Sequence, residues 1–261
     1  LSRTISERQT MSKISSMIES LQLRNLPLSL SGVCLGILLA ASDYKVSIAT
    51  AVFTILTAVF MHILSSGSYG LRKWFMGASA LLCTVFGLLT IKSSFGSIFS
   101  LDGICLITLG ASVIMGARKY MSDLFAFLFL GIVTVMGAYF VASHAMPWWL
   151  LLPASAIGCF SVASMKLSRI SKDGPETSER IWQSGLIVLG WGLMVAFCCV
   201  RFFDPWHYLF VLALPLYIIY LIGIWNGRKV DCEKLQRLLK AATAVLSILA
   251  GIGYIQFLLV A

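Results

Sequence analysis

The sequence predicts an all-α, polytopic membrane protein with about nine transmembrane helices, and three observations lead there. Of its 261 residues 59% are hydrophobic and only 12% are charged, too little polar surface to coat a soluble globule of this length. The apolar residues form long runs rather than the short alternating strands of a membrane barrel, and in hydrocarbon only helices and closed barrels satisfy the backbone. The basic residues gather on alternate connections between those runs.

A hydrocarbon core takes about 20 apolar residues per helix. That ruler separates a polar amino-terminal segment, residues 1–25, from a single transmembrane domain, residues 26–261. The first span, 26–41, is short and reads as a tilted helix whose start dips into the interface. The second and third, 46–64 and 74–91, flank the pair Arg72 and Lys73. The fourth and fifth, 98–115 and 124–142, flank Arg118 and Lys119. The sixth, 147–165, follows an aromatic entrance at Trp148 and Trp149 and ends at Lys166. The seventh, 181–200, runs from Arg180 to Arg201, the eighth, 206–225, starts at Trp206, and the ninth, 241–260, follows Lys240.

Placing the twenty Lys and Arg residues on alternate sides puts seventeen on one side and only Lys45, Lys92 and Arg201 on the other. Positive charge near span ends is retained in the cytoplasm, so the amino terminus is expected inside and the carboxyl terminus outside. Adding or removing one span would scramble this alternation. The net charge of +9 is therefore a topological signal, with no need to invoke nucleic acid. Trp148, Trp149 and Trp206 fall where an outer aromatic belt is expected. The polar start, which continues into a full span, shows no cleavable signal pattern.

Cys34, Cys83, Cys105, Cys159, Cys198 and Cys199 fall within apolar runs and read as small core residues, while Cys232 lies in a polar loop. No Cys-x-x-Cys or Cys/His spacing points to zinc or an iron–sulfur cluster. The middles of the nine runs carry no acid, which disfavours an ion-coupled transporter.

Two stretches carry a family resemblance. One is Leu23-Arg24-Asn25-Leu26-Pro27-Leu28, followed by Ser31, Gly32 and Gly36. The other runs from Ser122-Asp123-Leu124-Phe125 through Gly131, Gly137 and Tyr139 to Leu152-Pro153-Ala154-Ser155-Ala156-Ile157-Gly158. Together they resemble UbiA-type intramembrane prenyltransferases, and within these the branch that prenylates 1,4-dihydroxy-2-naphthoate in menaquinone synthesis. The resemblance implies nine helices, a cytoplasmic amino terminus and the inner membrane of a bacterium. It also implies transfer of a polyprenyl chain to an aromatic ring. Members hold Mg²⁺ on two acidic motifs, which neutralises the diphosphate leaving group.

Here the sequence departs from the family. After the second span it reads Ile63-Leu64-Ser65-Ser66-Gly67-Ser68-Tyr69-Gly70-Leu71-Arg72, without an acid. After the sixth, Arg169 stands where the first acid of the second motif would lie, and Asp173 matches the second. Asp173, Glu176 and Glu179 would share one helical face and could supply Mg²⁺ with oxygen ligands. The competing reading makes Glu176 and Glu179 first-turn acids of a helix starting near Pro175. Arg72, Lys73, Arg118, Lys119, Lys166 and Arg169 ring the same mouth, suited to a diphosphate or an anionic lipid head group. His62 could line a polar cavity, and Asp123 reads as an N-cap or first-turn acid, with a place in that cavity as the alternative.

The resulting expectation is a prenyltransferase-like protein that has lost Mg²⁺–diphosphate chemistry, serving as a non-catalytic membrane subunit or as an isoprenoid or quinone binder. The alternatives are an active prenyltransferase using Asp173, Glu176 and Glu179 with Mg²⁺, and a transporter of lipid or a small solute. Membrane lipid and a membrane-protein complex are the expected partners. Small residues, among them Gly131, Gly137, Ala138, Ala154, Ala156 and Gly158, are expected to let helices approach closely.

Overall fold

The computed structural model describes residues 26–66, 73–119, 122–170, 175–201, 205–226 and 231–260. The polar segment 1–25 lies outside the described residues. The described residues form nine helical rods and no strand. In order they are α1 (Leu26–Asp43), α2 (Ile48–Ser66), α3 (Lys73–Phe95), α4 (Leu101–Lys119), α5 (Asp123–Ser143), α6 (Leu151–Arg169), α7 (Thr177–Arg201), α8 (Leu214–Trp225) and α9 (Cys232–Val260). Short 3₁₀ segments, Trp148–Leu150 and Pro205–Ala213, lead into α6 and α8.

Seven of the rods, with α6 and α8 taken together with the 3₁₀ turns that lead into them, are long and apolar enough to cross a membrane, which makes this a multi-pass membrane protein. The other two, α2 and α4, carry shorter apolar stretches, Ile48–Leu64 and Leu101–Ser112.

Side-chain partners fix the direction of each rod. Ser29 at the start of α1 bonds His62 near the end of α2, and Thr50 near the start of α2 bonds Ser93 near the end of α3. Asp123 at the start of α5 pairs with Lys166 and Arg169 at the end of α6. Gln183 early in α7 donates to the Ala163 carbonyl and accepts from the Tyr220 hydroxyl late in α8. Gly103 at the start of α4 packs against Ile91 near the end of α3, and Gln236 early in α9 bonds the Ser164 carbonyl late in α6, so consecutive rods are antiparallel. The end where α1 begins is called the near end below, and the opposite one the far end.

Four rods, α1, α5, α6 and α9, close a central ring, with α2 to α4 flanking α1 and α5, and α7 and α8 flanking α6 and α9. Glycines permit the closest crossings. A Cβ on Gly36 would strike the Val135 carbonyl of α5, one on Gly131 would strike Gly158 of α6, and one on Gly158 would meet Phe127. Gly137 departs from the expectation, because a Cβ there meets nothing within 4 Å. The crossing was carried by Gly131 and Gly158, while Gly137 faces open space.

Near that crossing α5 widens into a π-helix over Ala126–Val133. Such wide turns are rare and frequent beside functional sites. The Thr134 hydroxyl donates to the Leu130 and Gly131 carbonyls as the helix returns to α geometry. At the far end α5 stops on His144, a left-handed residue at φ 59° with its ring against Phe95.

Three further expectations need correction. The last helix begins at Cys232 rather than near 241, so Lys234, Arg237 and Lys240 are helical, and Lys240 is buried. It shares a buried-facing stripe with Gln236, Thr243 and Ser247 at i, i+4, i+7 and i+11, where Gln236 donates to the Ser164 carbonyl and Tyr217 to Thr243. Trp149 is buried against Tyr139 and Phe197 rather than standing in an aromatic belt, while Trp148 is exposed. Cys83, Cys159 and Cys198 are core residues, but Cys105 and Cys199 are exposed.

Candidate functional site

The near end carries the residues singled out in the sequence. Asp123 occupies the first turn of α5, just after the N-cap Ser122, whose hydroxyl accepts from the Phe125 N–H. Its carboxylate is spanned by two cations, Arg169 at 3.0 Å and Lys166 at 3.5 Å, and Lys166 also lies 5.2 Å from the centre of the Trp182 ring. These side chains are more than a third exposed, so the ion pairs are worth little as stability and serve to tie α5 to α6.

Glu179 accepts from the backbone N–H of Glu176 at 3.0 Å, the return half of a capping box that starts α7. Among the described residues no three His, Cys, Asp or Glu side chains converge as metal ligands. Asp173 and Arg72 lie outside the described residues; Lys73 opens α3, and Arg118 and Lys119 close α4. Of the described carboxylates at this end, Asp123 and Glu233 pair with cations, and Glu179 and Asp231 accept from backbone N–H groups at helix starts. His62 is buried and takes a 2.8 Å hydrogen bond with Ser29, which joins α1 to α2.

At the far end, Asp43 of α1 is held by Arg201 of α7 and by the Tyr139 hydroxyl of α5 at 2.9 Å. The Arg201 guanidinium lies 4.0 Å from the centre of the Trp149 ring. Both charges are about four-fifths covered, with side-chain exposures of 19% and 23%. No sequence motif marked this cluster, because its members come from three separate helices and the 3₁₀ turn that leads into α6.

Between these ends lies a partly open cavity of about 380 Å³ lined by α2, α3, α4 and α5 with Val33 of α1. That volume falls in the range of about 300–1,000 Å³ usual for ligand pockets. Its described wall is apolar, with sulfur from Met61 and Cys83, apart from five threonines, Thr54, Thr57, Thr84, Thr90 and Thr134. Each threonine hydroxyl donates back to a carbonyl of its own helix, at 2.7 to 2.9 Å. These threonines therefore present no uncommitted hydroxyl hydrogen to an occupant, and the wall suits an apolar chain. Gly137, with nothing opposite it, is part of this wall, as are Phe129 and Val133 on the π-helical stretch.

No protein-family model and no curated protein matches this chain.

Proposed function

We propose that this chain is a UbiA-type, prenyltransferase-like protein of a bacterial inner membrane that holds an isoprenoid or quinone tail in the α2–α5 cavity and performs no Mg²⁺–diphosphate chemistry. The observation that carries the reading is the wall of that cavity. A dry apolar void forfeits dispersion contacts, and one bordered by lipid is filled by hydrocarbon. With the threonine hydrogens directed to their own helices, the matching occupant is a hydrocarbon chain rather than a polar solute.

All nine rods cross the bilayer in this reading, and the near end is cytoplasmic. The alternating directions support the count, as do the lengths of α2 and α4: each has 19 residues, about 28 Å at 1.5 Å per residue, close to the ~30 Å core. The basic residues support the orientation.

The test is to purify the protein in mild detergent, extract it and identify retained lipids by mass spectrometry, beside a prenyl-transfer assay. The expected result is an enriched polyprenyl or quinone lipid, depleted in Gly137→Leu, and no product from polyprenyl diphosphate and dihydroxynaphthoate. Mg²⁺-dependent product, lost in Asp173→Asn, would replace this reading with a catalytic one.

A further inference from the structure

The two ends of the bundle differ in charge. The segments at the near end carry seventeen Lys and Arg against eight Asp and Glu, whereas the far end carries three of each, so the net charge of +9 belongs to the near end. There the described structure gathers two of the cations beside an exposed aromatic ring.

Lys166 reaches toward both neighbours of α6. Its ammonium lies 3.5 Å from Asp123 at the start of α5 and 5.2 Å from the centre of the Trp182 ring in the second turn of α7. Arg169 approaches the same carboxylate at 3.0 Å, so two cations share Asp123. The two side chains remain 36% and 47% exposed. An ammonium with three donors and a planar guanidinium fork are the groups that hold phosphate oxygens. Trp182 is 64% exposed, and an indole in that position suits the boundary between head groups and hydrocarbon.

From Trp182 a furrow runs down α7. Trp182, Gly185, Leu189 and Gly192 recur at i, i+3, i+7 and i+10 and share one face. All four are exposed, and a Cβ on either glycine would meet nothing within 4 Å. Trp182 to Gly192 spans ten residues, about 15 Å at 1.5 Å per residue, which is half of the ~30 Å core and so the depth of one leaflet.

We propose that Lys166, Arg169 and Trp182 seat one anionic phospholipid of the near leaflet, its phosphodiester against the two cations and one acyl chain along the Gly185–Gly192 furrow. The site shares no residue with the α2–α5 cavity and is independent of what that cavity holds. The cations select the head group. Phosphatidylethanolamine would bring a third positive charge beside Lys166 and Arg169, whereas phosphatidylglycerol presents an uncompensated phosphate. A soluble phosphate would meet the same cations and leave the furrow unused.

Native mass spectrometry of the delipidated full chain in detergent, titrated separately with phosphatidylglycerol, phosphatidylethanolamine and inorganic diphosphate, tests the site. Phosphatidylglycerol is expected to bind about tenfold more tightly than phosphatidylethanolamine, and diphosphate is expected not to displace it. Lys166→Gln is expected to weaken phosphatidylglycerol about fivefold, the equivalent of ~1 kcal/mol for one basic residue at an anionic surface. Gly192→Leu, which fills the furrow, is expected to weaken it as well while leaving the melting temperature unchanged. Arg237→Gln removes a near-end cation that pairs with Glu233 and should change binding less than about twofold. Equal binding of the two lipids, no loss in Lys166→Gln or in Gly192→Leu, or an equal loss in Arg237→Gln would overturn the site in favour of a diffuse basic surface. Displacement of the lipid by diphosphate, with the same dependence on Lys166, would overturn it in favour of a soluble anion.

Discussion

Asp43 and Arg201 stand 158 positions apart in the chain yet form an ion pair that fastens the last turn of α1 to the last turn of α7. Tyr139 donates to the other carboxylate oxygen and Trp149 lies beneath the guanidinium, so three helices and the 3₁₀ turn before α6 converge on one charge pair. Both charges are mostly covered, and removing one takes away the other's ion-pair partner. Asp43→Ala is expected to cost roughly 1–3 kcal/mol, read as a lowered midpoint of thermal unfolding in detergent. Tyr139→Phe removes one hydrogen bond and should cost about 1 kcal/mol. Equal melting of Asp43→Ala and the parent protein would contradict the arrangement.

The two glycines Gly158 and Gly137 are expected to respond in opposite ways. Gly158→Leu drives a side chain into Phe127 and Gly131 and should destabilise the bundle by about 1–3 kcal/mol or more. Gly137→Leu projects into the cavity and should leave the melting temperature near that of the parent while reducing retained lipid. A melting curve and a lipid extraction on the same samples separate the two effects.

For Glu179 the capping geometry predicts a modest, metal-independent role. Glu179→Ala should cost about 1 kcal/mol through the start of α7, and Glu179→Gln should cost less, since glutamine also serves in a capping box. Adding Mg²⁺ should shift neither melting curve. A Mg²⁺-dependent stabilisation abolished by Glu179→Gln would restore the acidic-cluster reading.

Topology is open to direct labelling. Lys45 and Lys92 are exposed at the far end, whereas Arg201 is engaged with Asp43 and makes a poor reporter. In a background without native cysteines, Lys45→Cys and Lys92→Cys should react with an impermeant thiol reagent from outside the cell. Reaction of Arg169→Cys from outside instead would reverse the orientation.

The helical class and the order of the rods were legible because hydropathy reports the solvent, and the solvent here is lipid. The start of α9 was not. Lys234, Arg237 and Lys240 look like a loop by hydropathy, yet the backbone continues as helix through them, and Lys240 is buried in a polar stripe that a window average cannot see. Asp123 and Glu179 were readable as helix-start acids because their partners lie close by, in the same turn or in the adjoining hairpin. The Asp43 cluster and the cavity were hidden for the opposite reason: each is assembled from several helices, and nothing local records which faces meet. Gly137 shows the same limit, since a small residue in sequence does not reveal whether a neighbour or a void stands opposite.

α1 and α9 run in parallel side by side, but α1 has 18 residues and α9 has 29. At 1.5 Å per residue these are about 27 Å and 44 Å, against a ~30 Å hydrocarbon core. The longer rod therefore stands proud of the membrane by several turns or leans across it. Measured from Cys232, Lys240 lies about 12 Å along the rod, so such an overhang lifts its ammonium toward the head-group layer instead of the bilayer midplane. Membrane thickness thereby becomes a variable of this fold: it sets how far below the head-group layer the bundle must hold this protein-enclosed lysine.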